Sequence, residues 1–240
     1  MLRTCFLGFF LLVISISSTF AQDYDRFTLN IAAGKSLSVR ELATKVFGET
    51  RGEIAGDGVS AQLVATFYPT KRIGLAARLS YNKNKTREEG IQKIAANQYN
   101  IINPTVVEAK DWDVMSAMIG PSLRLGGDRL GLEGRLLIGY AKVNSPMFVT
   151  TGTFQNYNIK VETASQNASN LAYGAGATFH VGLFGGLALV VNADASLIST
   201  TFKGVKNTVT TTGFPSVTQT VDITQNVGVV NVTGGIRLSF

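Results

Sequence analysis

The chain contains one histidine, His180, and one cysteine, Cys5. A single histidine cannot build a histidine-rich metal site, so neither a metal nor another cofactor is expected. His180, Asp194 and nearby serines could compose a hydrolytic triad. A histidine hydrogen-bonded among other polar groups is the plainer reading. Six charged residues stand inside otherwise apolar, alternating segments: Arg78, Arg124, Glu133, Arg135, Asp194 and Arg237. Charges in such places must be paired or hydrated. Glu133 is set to meet Arg124 across a hairpin and lies two residues from Arg135 on its own segment. That spacing predicts a salt-bridged cluster. The excess of arginine over acid would instead suit a narrow passage that repels cations.

The segments that position these charges share a period of two, the mark of strands with one apolar face. Eight such runs occur, at 27–33, 59–67, 73–81, 115–125, 130–140, 171–183, 187–197 and 230–240. Tight turns at 69–72, 126–129 and 184–186 join three pairs of them, and the other connections are long and polar. This alternation predicts an all-β fold, an eight-stranded antiparallel up-and-down transmembrane β-barrel. A strand needs only ~9–11 residues to cross a bilayer, about what each run supplies.

The polar face is rich in glycine and serine and carries few charges, which suits a narrow interior filled by side chains. The apolar face would then meet lipid. Aromatic residues gather at the run ends: Tyr81, Trp112, Tyr140, Tyr173 and Phe202 toward the long loops, and Phe27, Phe67, Tyr68, Phe184 and Phe240 toward the short turns. These predict two interfacial girdles. Pro121 lies inside a run and cannot donate a ladder hydrogen bond, so a bulge is expected there.

Composition excludes other classes. Charged residues are 16% and hydrophobic residues 45% of the chain, which is not the profile of a disordered protein. One cysteine cannot make a disulfide scaffold. The net charge of +6 comes without a lysine-rich run, so no nucleic-acid partner is expected. Met1-Leu2-Arg3, an apolar run from Cys5 to Ile16 and small residues before Ala21 read as a secretory signal peptide. Residues 1–21 would be removed and 22–240 would form the barrel domain. Cleavage after Ala21 discards Cys5 and leaves a mature chain without thiols. No later run is apolar and long enough for a spanning helix.

The chain ends Thr233-Gly234-Gly235-Ile236-Arg237-Leu238-Ser239-Phe240. Thr233, Gly235, Leu238 and Phe240 resemble the C-terminal assembly signal of outer-membrane barrels. With the export signal, the chain resembles the small eight-stranded outer-membrane β-barrel family of Gram-negative bacteria, the porin-like and adhesin-like group. The resemblance implies residence in the outer membrane, short turns in the periplasm, long loops outside and handling by the barrel assembly machinery. Some barrels of this size modify lipids with a histidine and serine two apart on one strand. Here His180 is flanked by Thr178 and Gly182, so the resemblance does not extend to that chemistry.

The expected function is therefore a structural or surface-interaction role without enzymatic activity, with the lumen plugged by the six charges. A narrow small-solute channel is the alternative, and a lipid-modifying enzyme a more remote one. The ligand of the outer loops is not identifiable from the sequence. Lys35, Lys83, Lys110, Lys142 and Lys203 each fall near the long-loop end of a different strand. They would form a rim at the height of outer-leaflet phosphates, making membrane lipid, and lipopolysaccharide in particular, the expected partner. Two features mark the loops themselves. Ser38-Val39-Arg40-Glu41 matches a capping box and predicts a short helix in the first loop. Valine- and threonine-rich stretches flank Gly213-Phe214-Pro215-Ser216 and predict that the last hairpin rises beyond the membrane.

Overall fold

A computed structural model describes residues 25–39, 54–127 and 129–240 of the chain. The export segment and the helix expected after Ser38 lie outside the described residues. Eight long strands carry the architecture: β1 (Phe27–Ser38), β2 (Ala55–Phe67), β3 (Ile73–Thr86), β5 (Trp112–Gly126), β6 (Leu130–Asn144), β9 (Asn167–Phe184), β10 (Leu187–Thr211) and β11 (Val217–Ser239). Each pairs antiparallel with the next, and β11 returns to β1. The seam closes through two bonds: Phe27 N–H donates to Phe240 O at 3.1 Å, and Phe240 N–H to Phe27 O at 2.8 Å. The result is a closed barrel with no free edge along its wall.

The period of two holds along each strand. In β3 the side chains alternate exposed and buried from Ile73 through Lys85. Turn chemistry sets the register at the short end. Gly185 and Gly186 join β9 to β10 with φ of +56° and +77°, the backbone that a two-residue hairpin turn requires. Pro121 departs from expectation. The β5–β6 ladder is interrupted at Gly120 and Pro121 but resumes at Ser122↔Arg135 in the register of Ile119↔Ile138. The missing N–H is absorbed by a local opening of the ladder, without an inserted residue. Pro121 itself is exposed on the outer wall.

The strands run well past the alternating cores legible in the sequence. β10 has 25 residues, about 80 Å at ~3.3 Å per residue, far more than a bilayer demands. Its distal part and that of β11 form the rising hairpin around Gly213, as the sequence predicts. A bulge between Phe202 and Val205 turns the hairpin. There Gly204 adopts φ +68° and its N–H donates to Asp222 Oδ1 at 2.8 Å.

Above the barrel three further strands extend from β10: β8 (Tyr157–Thr163), β7 (Phe148–Phe154) and β4 (Ile102–Ala109). They make a crown over the long-loop end of the barrel. Helix α1 (Glu88–Tyr99) packs on it through Ala95, which clusters with Ile101, Ile159 and Val161. Glu88 and Glu89 stand in its first turn, where acidic groups favour the helix dipole. Asn100 ends the helix in the left-handed conformation, its N–H bonded to Ala95 O.

Candidate functional site

The lumen is where the chemistry of this chain concentrates. Arg78, Arg124, Glu133, Arg135, Asp194 and Arg237 all point inward and are buried. They sort into two clusters, each with one carboxylate and two guanidiniums. Asp194 on β10 takes Arg135 from β6, with Nη2 donating to both carboxylate oxygens at 2.7 Å and Nε to Oδ1 at 3.0 Å. Arg78 on β3 brings Nη1 within 3.0 Å of the same Oδ1 and donates from Nη2 to Ser196 Oγ at 2.6 Å. Gln62 on β2 donates to Asp194 Oδ2 at 3.0 Å and to Thr233 Oγ1 at 2.8 Å. Thr178, Asn192 and Thr233 continue the chain of bonds between β9, β10 and β11.

The second cluster lies toward the short turns. Arg124 Nε donates to Glu133 Oε1 at 3.0 Å, and Arg237 binds the same oxygen through Nη2. Arg124 also stacks its guanidinium 3.8 Å from the centre of the Tyr68 ring. Arg237 Nη1 lies 2.7 Å from His180 Nδ1. The other ring nitrogen, Nε2, lies 3.2 Å from Gly127 O. A guanidinium can only donate, so Nδ1 accepts and the proton sits on Nε2.

The pairing differs in one respect from the sequence expectation. Arg135 does not join Glu133, its near neighbour on β6. It turns to Asp194 on β10, and Arg237 takes the second place on Glu133. The barrel's curvature brings side chains from separated strands together inside, where sequence proximity counts for little. Glycine makes the room: a Cβ at Gly176 would collide with the Asp194 carboxylate and crowd Arg135 Nε, and one at Gly131 would strike the His180 ring.

These bonds cross the lumen. In the ring order, β3 and β10 stand four places apart in either direction, on opposite walls. β6 and β11, and β2 and β10, stand three places apart. A small eight-stranded interior is just wide enough for such side chains to meet. No triad is assembled from His180 and Asp194. His180 faces Arg237 and Gly127, while Asp194 is occupied by Arg78, Arg135 and Gln62.

Outside, the wall is apolar. Leu136 is 66% exposed, and Ile73, Leu79, Ile119, Leu189 and Ile236 are exposed with it, while the lumen buries arginine, asparagine and threonine. That inversion is unstable in water and suits lipid. The chain is a membrane-spanning β-barrel. Among solved structures, similar ones include Neisserial surface protein A, at TM-score 0.46 and 10% identity over 89% of this chain and 97% of that one. The attachment invasion locus protein Ail of Yersinia pestis, in complex with a heparin analogue, gives TM-score 0.46 at 14% identity over 89% and 99%. The outer membrane protein OprG of Pseudomonas aeruginosa gives 0.45 at 10% identity over 90% and 96%. No family model and no curated protein sequence matches the chain.

The girdles are partly as the sequence predicts. Tyr81, Tyr140 and Tyr173 are exposed toward the loops, and Phe67, Phe184 and Phe240 toward the turns. Trp112, Phe202 and Tyr68 are instead buried inside. Each follows an inward parity: Trp112 shares that of Ser116 and Met118 on β5, Phe202 that of Asp194 on β10, and Tyr68, one residue past β2, that of Gln62. Of the C-terminal residues, Thr233 joins the lumen network, while Leu238 and Phe240 lie on the outer wall. Phe240 packs on Phe27, ring centres 6.1 Å apart, at the barrel seam.

All five rim lysines are exposed. They are not evenly spread, because Lys83, Lys110 and Lys142 line one polar crevice of about 600 Å³ under the crown. Asp111 lies 3.8 Å from Lys83 there, and Tyr81 donates to Asp113 at 2.6 Å.

The short crown elements are absent from the expectations above. Gln155 and Asn156, both at positive φ, separate two alternating stretches at 148–154 and 157–163, a usable hairpin signal. For α1, the marks are Glu88 and Glu89 before Ile91, Ile94 and Ala95 at helical spacing, with Asn100 as the stop.

Proposed function

We propose that this barrel serves the outer membrane as a sealed, non-enzymatic platform that holds its crown at the cell surface. The observation that supports this reading is the set of ion pairs and hydrogen bonds tying opposite walls across the lumen, above all Arg78 to Asp194. Four arginines share two carboxylates, and those partners come from β3, β5, β6, β10 and β11. A solute would have to part these pairs, and a buried charge left without its partner is costly. The same contacts make the wall rigid, which suits a base for the crown.

Two further roles belong to this reading. Lys35, Lys83, Lys110, Lys142 and Lys203 hold anionic headgroups of the outer leaflet, lipopolysaccharide phosphates among them. Thr233, Gly235, Leu238 and Phe240 act as the signal read by the barrel assembly machinery.

Deleting the gene tests the platform against a conduit. Uptake of a small hydrophilic solute should be the same with and without the protein. A fall in uptake on deletion, restored by the wild-type chain, would favour a channel.

A further inference from the structure

Above the charge network the barrel changes character. Met118, Val143 and Ile198 fill the lumen with apolar side chains, and Trp112 and Phe202 lie over them edge to face, 6.2 Å apart. Phe202 is eight residues beyond Asp194 along β10, about 26 Å of strand. Over this floor lies a cavity of about 440 Å³, walled by α1, the start of β5 and the distal parts of β10 and β11. Its size falls in the ~300–1,000 Å³ range of small-molecule sites.

The lining is specific in kind. Ile94, Phe148, Phe202, Val205 and Ile223 supply apolar surface, while Asn207 and Gln225 supply amides. Asp222 is the only Asp, Glu, Lys, Arg or His side chain among the described lining residues, and its carboxylate already accepts from Gly204 N–H. Trp112 also lines the cavity and is 3% exposed, yet its indole Nε1–H has no hydrogen-bond partner among the described residues. Buried donors are almost always paired. In the same wall Thr163 Oγ1 donates to Asn207 Oδ1 at 2.8 Å.

We infer that this cavity is a binding site for a small, neutral, largely apolar molecule carrying one hydrogen-bond acceptor, which Trp112 Nε1–H engages. The apolar walls take the body of such a ligand. An anion is disfavoured, because the one charged lining group is a carboxylate. The ligand enters from outside and stops on the Trp112–Phe202 floor, since the charge network lies deeper in the same lumen. The site therefore captures a molecule at the cell surface without passing it inward.

Trp112 is the only tryptophan in the chain, so it reports on its own site. The purified barrel in detergent micelles, labelled with ¹⁵N, gives a single indole N–H resonance. Titration with camphor, a neutral ketone with an apolar body, should move that resonance downfield and saturate. Val205→Phe and Ile223→Phe reduce the cavity without touching Trp112, and each should weaken the saturable binding at least tenfold. The folded form of each variant is checked by its heat-modifiable mobility on gels. If a variant fails to fold, the wild-type titration still decides. An indole resonance that stays in place, or drifts without saturating as ketone enters the micelle, overturns the proposal. Equal saturable binding in a folded filled variant overturns it as well.

Discussion

Replacing Asp194 by Asn keeps the shape of the side chain and removes the charge that two arginines share. Arg78 lies 3.0 Å from the carboxylate and Arg135 holds both oxygens at 2.7 Å. All three side chains are essentially cut off from solvent. Removing one partner of a buried pair costs about 3–5 kcal/mol. Here a single substitution strands two guanidiniums, so the upper part of that range is expected. With a urea dependence near ~2 kcal/mol per molar, the unfolding midpoint should fall by about 2–2.5 M. Tryptophan emission follows the transition, because Trp112 is 3% exposed in the fold and becomes fully exposed on unfolding. Arg78→Met in the Asp194→Asn background should restore part of the loss, by ~0.5–3 kcal/mol for residues in direct contact. A loss below ~0.5 kcal/mol, within the range of ordinary surface substitutions, would mean that water solvates these charges and that the lumen is not packed.

Other predictions test orientation, assembly and lipid contact. A protease site placed at Gly213, in the tip between β10 and β11, should be cut in intact cells, while one at Thr70, between β2 and β3, should be spared; the reverse pattern would invert the barrel. Phe240→Asp removes the ring that packs on Phe27 at the seam and puts a charge on the outer wall, so the amount of folded barrel in the membrane should fall; normal levels would dissociate that terminus from assembly. Neutralising Lys83, Lys110 and Lys142, which share one crevice, should reduce co-purifying lipopolysaccharide more than neutralising Lys35 and Lys203. At ~1 kcal/mol per charge, the triple change should weaken retention by roughly two orders of magnitude. Equal losses from the two sets would point to general positive charge.

The wall of the barrel was legible because its signal is a period of two repeated over eight runs, and no turn disturbs it. Parity alone places Arg78, Asp194 and Arg237 inside. Parity also reaches Trp112 and Phe202, but their position at run ends suggests a girdle, whereas the structure buries both. The partners within the lumen were not legible. Arg135 and Glu133 are two residues apart, yet Arg135 bonds across the curve of the barrel to β10. Which charges meet depends on strand stagger and on the space left at Gly176, and neither shows in a single strand's pattern. The crown is not legible because β4, β7 and β8 have 7 or 8 residues each and their pairing is broken by register shifts at β4. Short irregular strands give too few alternations to stand out from loop sequence.

The claim that the lumen is closed has a direct electrical test. Purified barrel is inserted into a planar lipid bilayer in salt solution, with an open porin as the positive control. The cross-lumen pairs at Asp194 and Glu133 predict no stepwise current at moderate voltage, while Arg78→Ala with Arg135→Ala should bring brief openings. Steady conductance steps from the wild-type protein would contradict the account.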